Sequence, residues 1–574
     1  HLRFATLELV RGEWRTYNYA LNLKGDAPAQ GKMDISVVNI EENAGQVPVN
    51  YVLPPGVTRI IDPGQSQITQ LNEQAMSLKV TDLQSGDARA VYKNSGMDMR
   101  TYKRLQMFVH AEKLIDDKTN LRDGDVSVFL RLGSDSKSNY YEYEVPLSLT
   151  EPGNYSTYNA QDQEAVWPQS NMFDFPLSLF TDLKLERNAK KRMDNSTVTF
   201  QTRYSSYDPD KNQNKVTIVG NPSLSDVRTM MIGVRNNSNA AKDIVVWVNE
   251  MRLTDFDQSG GWAAKANVNL GLSDIAMLNI AGHVETVGFG GIDQSLTERR
   301  LDDYYQYNIA TMVELGRFLP EKVKLKAPLF YSITEQRTSP KYNPLDQDIL
   351  LKDALDNAGS KAERDSISDA SIEKSTVESF SLSGVSFDIR SKNPMPYDPA
   401  NFSISYSYNR QSKQDPTTEF ENTYDYRGSF TYSYTPFVKP FVPLKGLKSK
   451  SKHLKFLKEW EFNYLPNNIA FNTNMSRYYY EQQIRDVSGS GGMALPTSVS
   501  KSFLWDRQFS LTWNLTKSIN LSLQTMTNAH IEEPVGVVNK QLFPDEYEAW
   551  KDTVLTSIKN LGTPWNYNQT FNAS

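Results

Sequence analysis

The 574-residue sequence contains no cysteine. That removes disulfide scaffolds, thiolate metal sites and thiol nucleophiles in one step. Histidine is scarce: His1, His110, His283, His453 and His530 are far apart, and none stands in a His-Glu-x-x-His or similar metal spacing. Carboxylates are plentiful, but no pair stands out as an acid and base, so a glycoside hydrolase has no positive sign. We expect no enzyme, no metal and no cofactor. No run approaches 18 apolar residues, which excludes a transmembrane helix. The formal net charge is only −6 and there is no long basic arm, which argues against a nucleic-acid partner. The opening His-Leu-Arg-Phe-Ala-Thr-Leu is strand-like and lacks the basic-then-apolar design of a signal peptide. The last residues stop inside an alternating run, so both ends read as cuts and the sequence as an internal piece of a larger protein.

What is abundant is Tyr (30) and Phe (25), and they are arranged with a period of two. Residues 401–408, Asn-Phe-Ser-Ile-Ser-Tyr-Ser-Tyr, alternate a large apolar or aromatic side chain with a small polar one. Successive side chains of a strand point to opposite faces, so this is a strand with one greasy and one wet face. The pattern recurs at Tyr307–Leu315, Val323–Ile333, Tyr424–Tyr434, Phe509–Leu515 and Ile519–Leu523. A strand that crosses a bilayer needs about 9–11 residues, apolar toward lipid and polar toward the lumen. The mean hydropathy of −0.55 does not oppose this, because half of every barrel strand is polar. On this reading Tyr406, Phe430, Tyr432 and Trp513 face lipid. Ser403, Ser405, Ser407, Arg427, Thr431, Thr512 and Asn514 line the lumen.

Two regions differ in texture. Residues 1–257 carry short strand candidates separated by Gly, Asn, Asp and Pro clusters, which predicts a soluble β-sandwich or jelly-roll-like cap. Its run Ile244–Leu253 is nearly continuous in apolar residues and reads as a strand buried on both sides. A short helix is expected near Leu177–Asn188. From Gly260-Gly261-Trp262 onward the alternating texture begins, and residues 258–574 read as about ten or eleven antiparallel strands of a large transmembrane barrel. Links between strands mostly alternate short and long, as periplasmic turns and extracellular loops do. The same parity puts the cap and the long loops outside the cell. Pro436–Pro466 breaks the rule, being long on the short side. It also holds the densest lysines, and Lys448, Lys450, Lys452 and Lys455 are candidates for contact with anionic headgroups or a partner. In Phe380–Ile389 the apolar set changes parity at Gly384, which reads as a β-bulge or as two short strands joined by a kink. The stretch Asp348–Ser375 reads as a mobile or helical loop.

A family resemblance rests on particular residues. Gly260-Gly-Trp-Ala-Ala264, Gly288-Phe-Gly290, Glu298-Arg299, Phe318-Leu-Pro320 and Pro340-Lys-Tyr-Asn-Pro344 followed by Asp346-Gln-Asp348-Ile349 resemble the SprA (Sov) family. Val128-Phe-Leu-Arg-Leu-Gly-Ser-Asp135 followed by Asn139-Tyr-Tyr-Glu-Tyr143 is similar to the same family. The resemblance implies the outer-membrane translocon of the type IX secretion system of Bacteroidota, a very large barrel that exports folded cargo proteins and gliding adhesins. Implied partners are a PorV-type barrel, a periplasmic plug and motor-linked ring proteins, besides outer-membrane lipid and the secreted cargo. No catalytic residue is implied. The competing expectation is a cell-surface glycan-binding or adhesin protein built wholly of β-sandwiches, which requires a soluble second half.

Overall fold

The computed structural model describes residues 14–574 apart from 20, 22–30, 60, 62–69, 194, 445, 447–459 and 487–494. The chain divides into two units: His1–Ser259 with Asp346–Asp365, and Gly260–Leu345 with Ser366–Ser574. Among the described residues every strand pairing is antiparallel.

The first unit holds strands β1 (Arg15–Tyr17), β2 (Lys32–Asn39), β3 (Gln74–Leu83), β4 (Ala88–Met97), β5 (Tyr102–Glu112), β6 (Val126–Gly133) and β7 (Tyr140–Pro146). Helix α1 (Ala160–Val166), β8 (Phe173–Pro176), helix α2 (Ser178–Lys191), β9 (Tyr204–Tyr207), β10 (Lys215–Val219), β11 (Val227–Asn236) and β12 (Lys242–Phe256) follow. They form a seven-stranded sheet, β1-β4-β11-β6-β7-β10-β9, and a five-stranded sheet, β2-β3-β12-β5-β8. Leu130, Leu132, Tyr143 and Ile232 of the first share one buried core with Leu78, Val109, Ile244 and Val246 of the second. This is a sandwich. The run predicted to be buried on both sides is so over Ile244–Asn249: Ile244, Val246 and Val248 enter that central core, while Trp247 enters a second cluster with Tyr51 and Trp167. Beyond it Glu250 and Arg252 are exposed, so the second half of the run is not buried. Helix α2 covers the expected helical stretch and buries Phe180, Leu183, Lys184 and Arg187, spaced as one helical face.

Two buried charge clusters hold this unit together. Glu142 is fully buried and accepts from Arg131 (2.5 Å), Arg203 (2.5 Å) and Arg235 (3.0 Å). Burial opposes its charge, yet the three guanidinium groups outweigh burial and hold its carboxyl at about 2. The second cluster involves strand β19 (Asp346–Leu350), which precedes helices α3 (Leu351–Asp356) and α4 (Lys361–Ser371). Asp348 has no side-chain exposure; it accepts from the Tyr141 hydroxyl at 2.6 Å and from Lys184 Nζ at 2.8 Å. Lys184 Nζ also reaches Asp346 at 2.5 Å and donates to the Pro222 carbonyl at 2.8 Å. The stretch expected as a mobile or helical loop is thus helical, and its first part is built into the cap unit.

The second unit is one meandering sheet. Its long strands are β13 (Ala263–Leu272), β14 (Ala276–Glu285), β15 (Asp302–Glu314), β17 (Pro328–Pro340), β20 (Glu373–Phe387), β21 (Phe402–Gln414), β22 (Thr418–Tyr434), β23 (Asn468–Ile484), β24 (Ser498–Asn514), β25 (Asn520–His530) and β26 (Thr563–Ala573). Each pairs with the next in that order. The two-residue strands β16 (Leu325–Lys326) and β18 (Tyr342–Asn343) and helix α5 (Pro544–Lys559) lie in links. The long strands run from 10 to 17 residues. The predicted run Val323–Ile333 is corrected: Val323 ends a 3-10 turn, Lys324 is left-handed (φ 46°) and the long strand starts only at Pro328. The left-handed Lys324 interrupts the pleat, and Leu325 and Lys326 pair with Phe387 and Ser386 only as the short strand β16, so the alternating letters do not form one continuous strand. Gly384 carries φ +63° where the β20–β21 register shifts between Leu382 and Val385, so the change of parity is a bulge within one strand.

Candidate functional site

Directly opposed residues of an antiparallel pair share a face, so the register carries the alternation across the whole sheet. Ser403 opposes Thr431 and Ser407 opposes Arg427. Thr431 opposes Asn472, Asn472 opposes Gln508, and Thr512 opposes Asn468 and Ser522. Ser403, Ser405, Ser407, Arg427, Thr431, Thr512 and Asn514 therefore lie on one face, contributed by strands β21, β22 and β24. Toward the other edge that face continues through Ser381, Ser379, Ser332, Ala310, Asn279 and Asn269. Its only charged member in the named set, Arg427, is paired with Asp425 at 2.9 Å.

The opposite face is apolar. Phe402 opposes Tyr432, Ile404 opposes Phe430, Tyr432 opposes Phe471, Phe471 opposes Phe509 and Trp513 opposes Leu521. Tyr406, Phe430, Tyr432 and Trp513 are all on it. Rings contact across strands, with centroids 5.1 Å apart for Phe402 and Tyr432 and 6.4 Å for Phe430 and Phe471. Nothing described in this unit covers the middle of that face: Ile404 is 55% and Tyr406 43% exposed, and all three buried apolar clusters belong to the cap unit.

The apolar face is banded along the strands. At one end, Trp513 Nε1 donates to the Asn463 carbonyl at 2.8 Å and the Tyr432 and Tyr434 hydroxyls donate to the Pro396 and Pro394 carbonyls at 3.0 and 3.2 Å. The middle holds Ile404, Tyr406, Phe430 and Phe471. At the other end stand Tyr408, Tyr424, Tyr426 and Tyr479, with centroids of 5.1 Å for Tyr408–Tyr426 and 5.9 Å for Tyr424–Tyr479. Beyond them the face turns polar: Ser412 donates to Asn422 (2.8 Å), which donates to Glu481 (2.9 Å). At about 3.3 Å per residue, Tyr424 to Tyr434 spans about 33 Å along the strand. Tilted by about 40° it spans about 25 Å, the height of the apolar band of outer-membrane barrels.

Residues 1–355, more than half of the sequence, match the family SprA_N, described as motility related/secretion protein. The chain belongs to the SprA family. No curated protein matches it. SprA membership makes this a motility- and secretion-related protein and ties it to the cell envelope. The SprA match covers residues 1–259 of the first unit, continues over Gly260–Leu345 of the second and runs through β19.

Other expected positions are distributed as follows. Lys448, Lys450, Lys452 and Lys455 lie outside the described residues, as do His1 and His453. His110 is buried against Trp247 (centroids 4.0 Å apart) in the first unit, and His283 and His530 sit on strands β14 and β25 of the second. Two features were not anticipated. Met277, Met312 and Phe330 oppose one another in a row on the mostly polar face; their even spacing within apolar-rich runs hid them. Helix α5 fills one of the long links, where Pro544, Asp545 and Glu546 mark a helix start and Tyr547, Trp550 and Val554 follow at helical spacing.

Proposed function

We propose that this chain forms the cap and part of the wall of a protein-conducting channel in the bacterial outer membrane, the type IX secretion translocon. It would export folded cargo proteins and, in gliding species, adhesins. The observation that carries the reading is the uncovered, banded apolar face opposite a hydroxyl- and amide-lined face, maintained over eleven strands. An apolar sheet face in water costs free energy in proportion to its area, so it needs a cover; acyl chains supply one without a second sheet. The small polar groups opposite give cargo a mostly wetted surface, interrupted by the row of Met277, Met312 and Phe330. In a protein of β-sandwiches the apolar face would be packed against a partner sheet, as it is in the cap unit but not here.

The cap and the long links, including 286–301, 341–372 and 531–562, stand on the extracellular side in this reading. The PorV-type barrel, the periplasmic plug and the motor-linked ring proteins are its partners, outer-membrane lipid its solvent. The chain acts by conduction and not by catalysis. Lys448, Lys450, Lys452 and Lys455 meet a headgroup or a periplasmic partner. The absence of native cysteine makes the test clean. Single cysteines at Ser405, Ser429 and Thr431 should react with a membrane-impermeant thiol reagent, while cysteines at Tyr406, Phe430 and Tyr432 should not. The reverse pattern, or equal labelling of both sets in plain buffer, overturns the membrane wall.

A further inference from the structure

The link between β25 and β26 folds back over one end of the apolar face and forms with it an open cavity of about 470 Å3. Tyr424, Tyr426 and Tyr479 from the wall and Tyr547 and Trp550 from helix α5 line it, with Arg477 and Glu481 beside them. The link is fastened at several points. Arg477 Nε and Trp550 Nε1 both donate to Glu533 Oε1, at 2.8 and 2.6 Å. Lys501 Nζ donates to the Gly536 carbonyl at 2.7 Å, and the Val538 amide donates to the Tyr479 hydroxyl at 3.1 Å. Tyr547 and Trp550, one helical turn apart, present tilted rings with centroids 5.4 Å apart. The volume falls within the range of about 300–1,000 Å3 usual for ligand sites.

The chemistry of the lining selects a ligand class. Five aromatic rings offer flat apolar faces, while phenols, a guanidinium, a carboxylate and the amide of Asn539 offer edges for hydrogen bonds. Arg477 Nη2 is buried and makes no hydrogen bond, although Glu533 Oε1 lies 2.8 Å away, out of line with its N–H groups. A phosphate would meet the carboxylates of Glu481 and Glu533, and an acyl chain would leave the polar edges unused. A hexose ring has one apolar C–H face and a rim of hydroxyls, and satisfies both. We propose that this cavity binds an uncharged saccharide, the sugar portion of an outer-leaflet glycolipid lying against the wall. The choice of a glycolipid as its source rests on the membrane reading above; the saccharide chemistry does not.

The test is titration calorimetry of the full chain in detergent, with a neutral hexose oligosaccharide free of acidic sugars and phosphate as probe, and its phosphorylated form as the comparison. Binding should saturate below about 10 mM and weaken at least tenfold, or about 1.4 kcal/mol, in Trp550→Ala and in Tyr426→Ala. Tyr426→Phe, which removes only a hydroxyl, should weaken it less. No binding, or binding unchanged in Trp550→Ala and Tyr547→Ala, overturns the proposal. So does a preference for the phosphorylated oligosaccharide. The probe is soluble, so a failure here is separable from a failure of the wall, which the labelling at Tyr406 reads independently.

Discussion

Phe430 and Ser429 are neighbours in one strand and oppose Ile404 and Ser405 respectively. Replacing each in turn by Arg puts the same charge on opposite faces at the same height. Phe430 lies midway between Tyr426 and Tyr434 on its face, about 10 Å from either aromatic row for a tilted strand of about 3.3 Å per residue. An Arg at such depth in a barrel wall costs about 2–4 kcal/mol. Phe430 also has ring partners in Phe402 (6.1 Å) and Phe471 (6.4 Å), and each such pair contributes about 0.5–1.5 kcal/mol. Phe430→Arg should therefore destabilise by about 3–7 kcal/mol in all. Ser429→Arg, opposite Ser405 and Asn474, should stay within about 0.5 kcal/mol, as surface substitutions do. Urea titrations of both variants in lipid vesicles, followed by tryptophan fluorescence, give the comparison. If Ser429→Arg costs as much as Phe430→Arg, the assignment of the two faces is wrong.

In the cap, Glu142→Gln should remove about 3 kcal/mol of stability at neutral pH by stranding three guanidinium groups. Its folded value of about 2 lies below its ordinary 4.5, so its contribution is full above 4.5 and is lost as pH falls through 2. Denaturation curves across that window should flatten in the variant, and an unchanged acid limb would count against the role assigned to it. Asp348→Ala leaves Lys184 buried with Asp346 and one carbonyl; amide exchange at 346–365 should accelerate, by up to the factor that about 3 kcal/mol allows. Unchanged protection there would mean the pair does not hold the segment. Gly384→Ala should cost about 1–2 kcal/mol from its left-handed backbone alone, because no atom lies within 4 Å of the added carbon. A cost several times larger, in the same vesicle titration, would show that the bulge is packed.

Period-two alternation is a property of each strand's own backbone, so local letters sufficed to assign Tyr406 and Ser405, or Trp513 and Thr512, to opposite faces. The doubly buried strand through Trp247 was legible from its nearly continuous apolar run, which is also local. Membership of Asp346–Asp365 in the first unit was not. Asp348 meets Tyr141 and Lys184 across long stretches of sequence, and nothing near Asp348 in the chain distinguishes a docked carboxylate from a solvated one. The cavity under helix α5 likewise depends on β22, β23 and a distant link converging around Arg477. Periodicity reports which way a side chain points; only the tertiary pairing decides what it meets there, because contacts made at long range leave no mark in the spacing of neighbours.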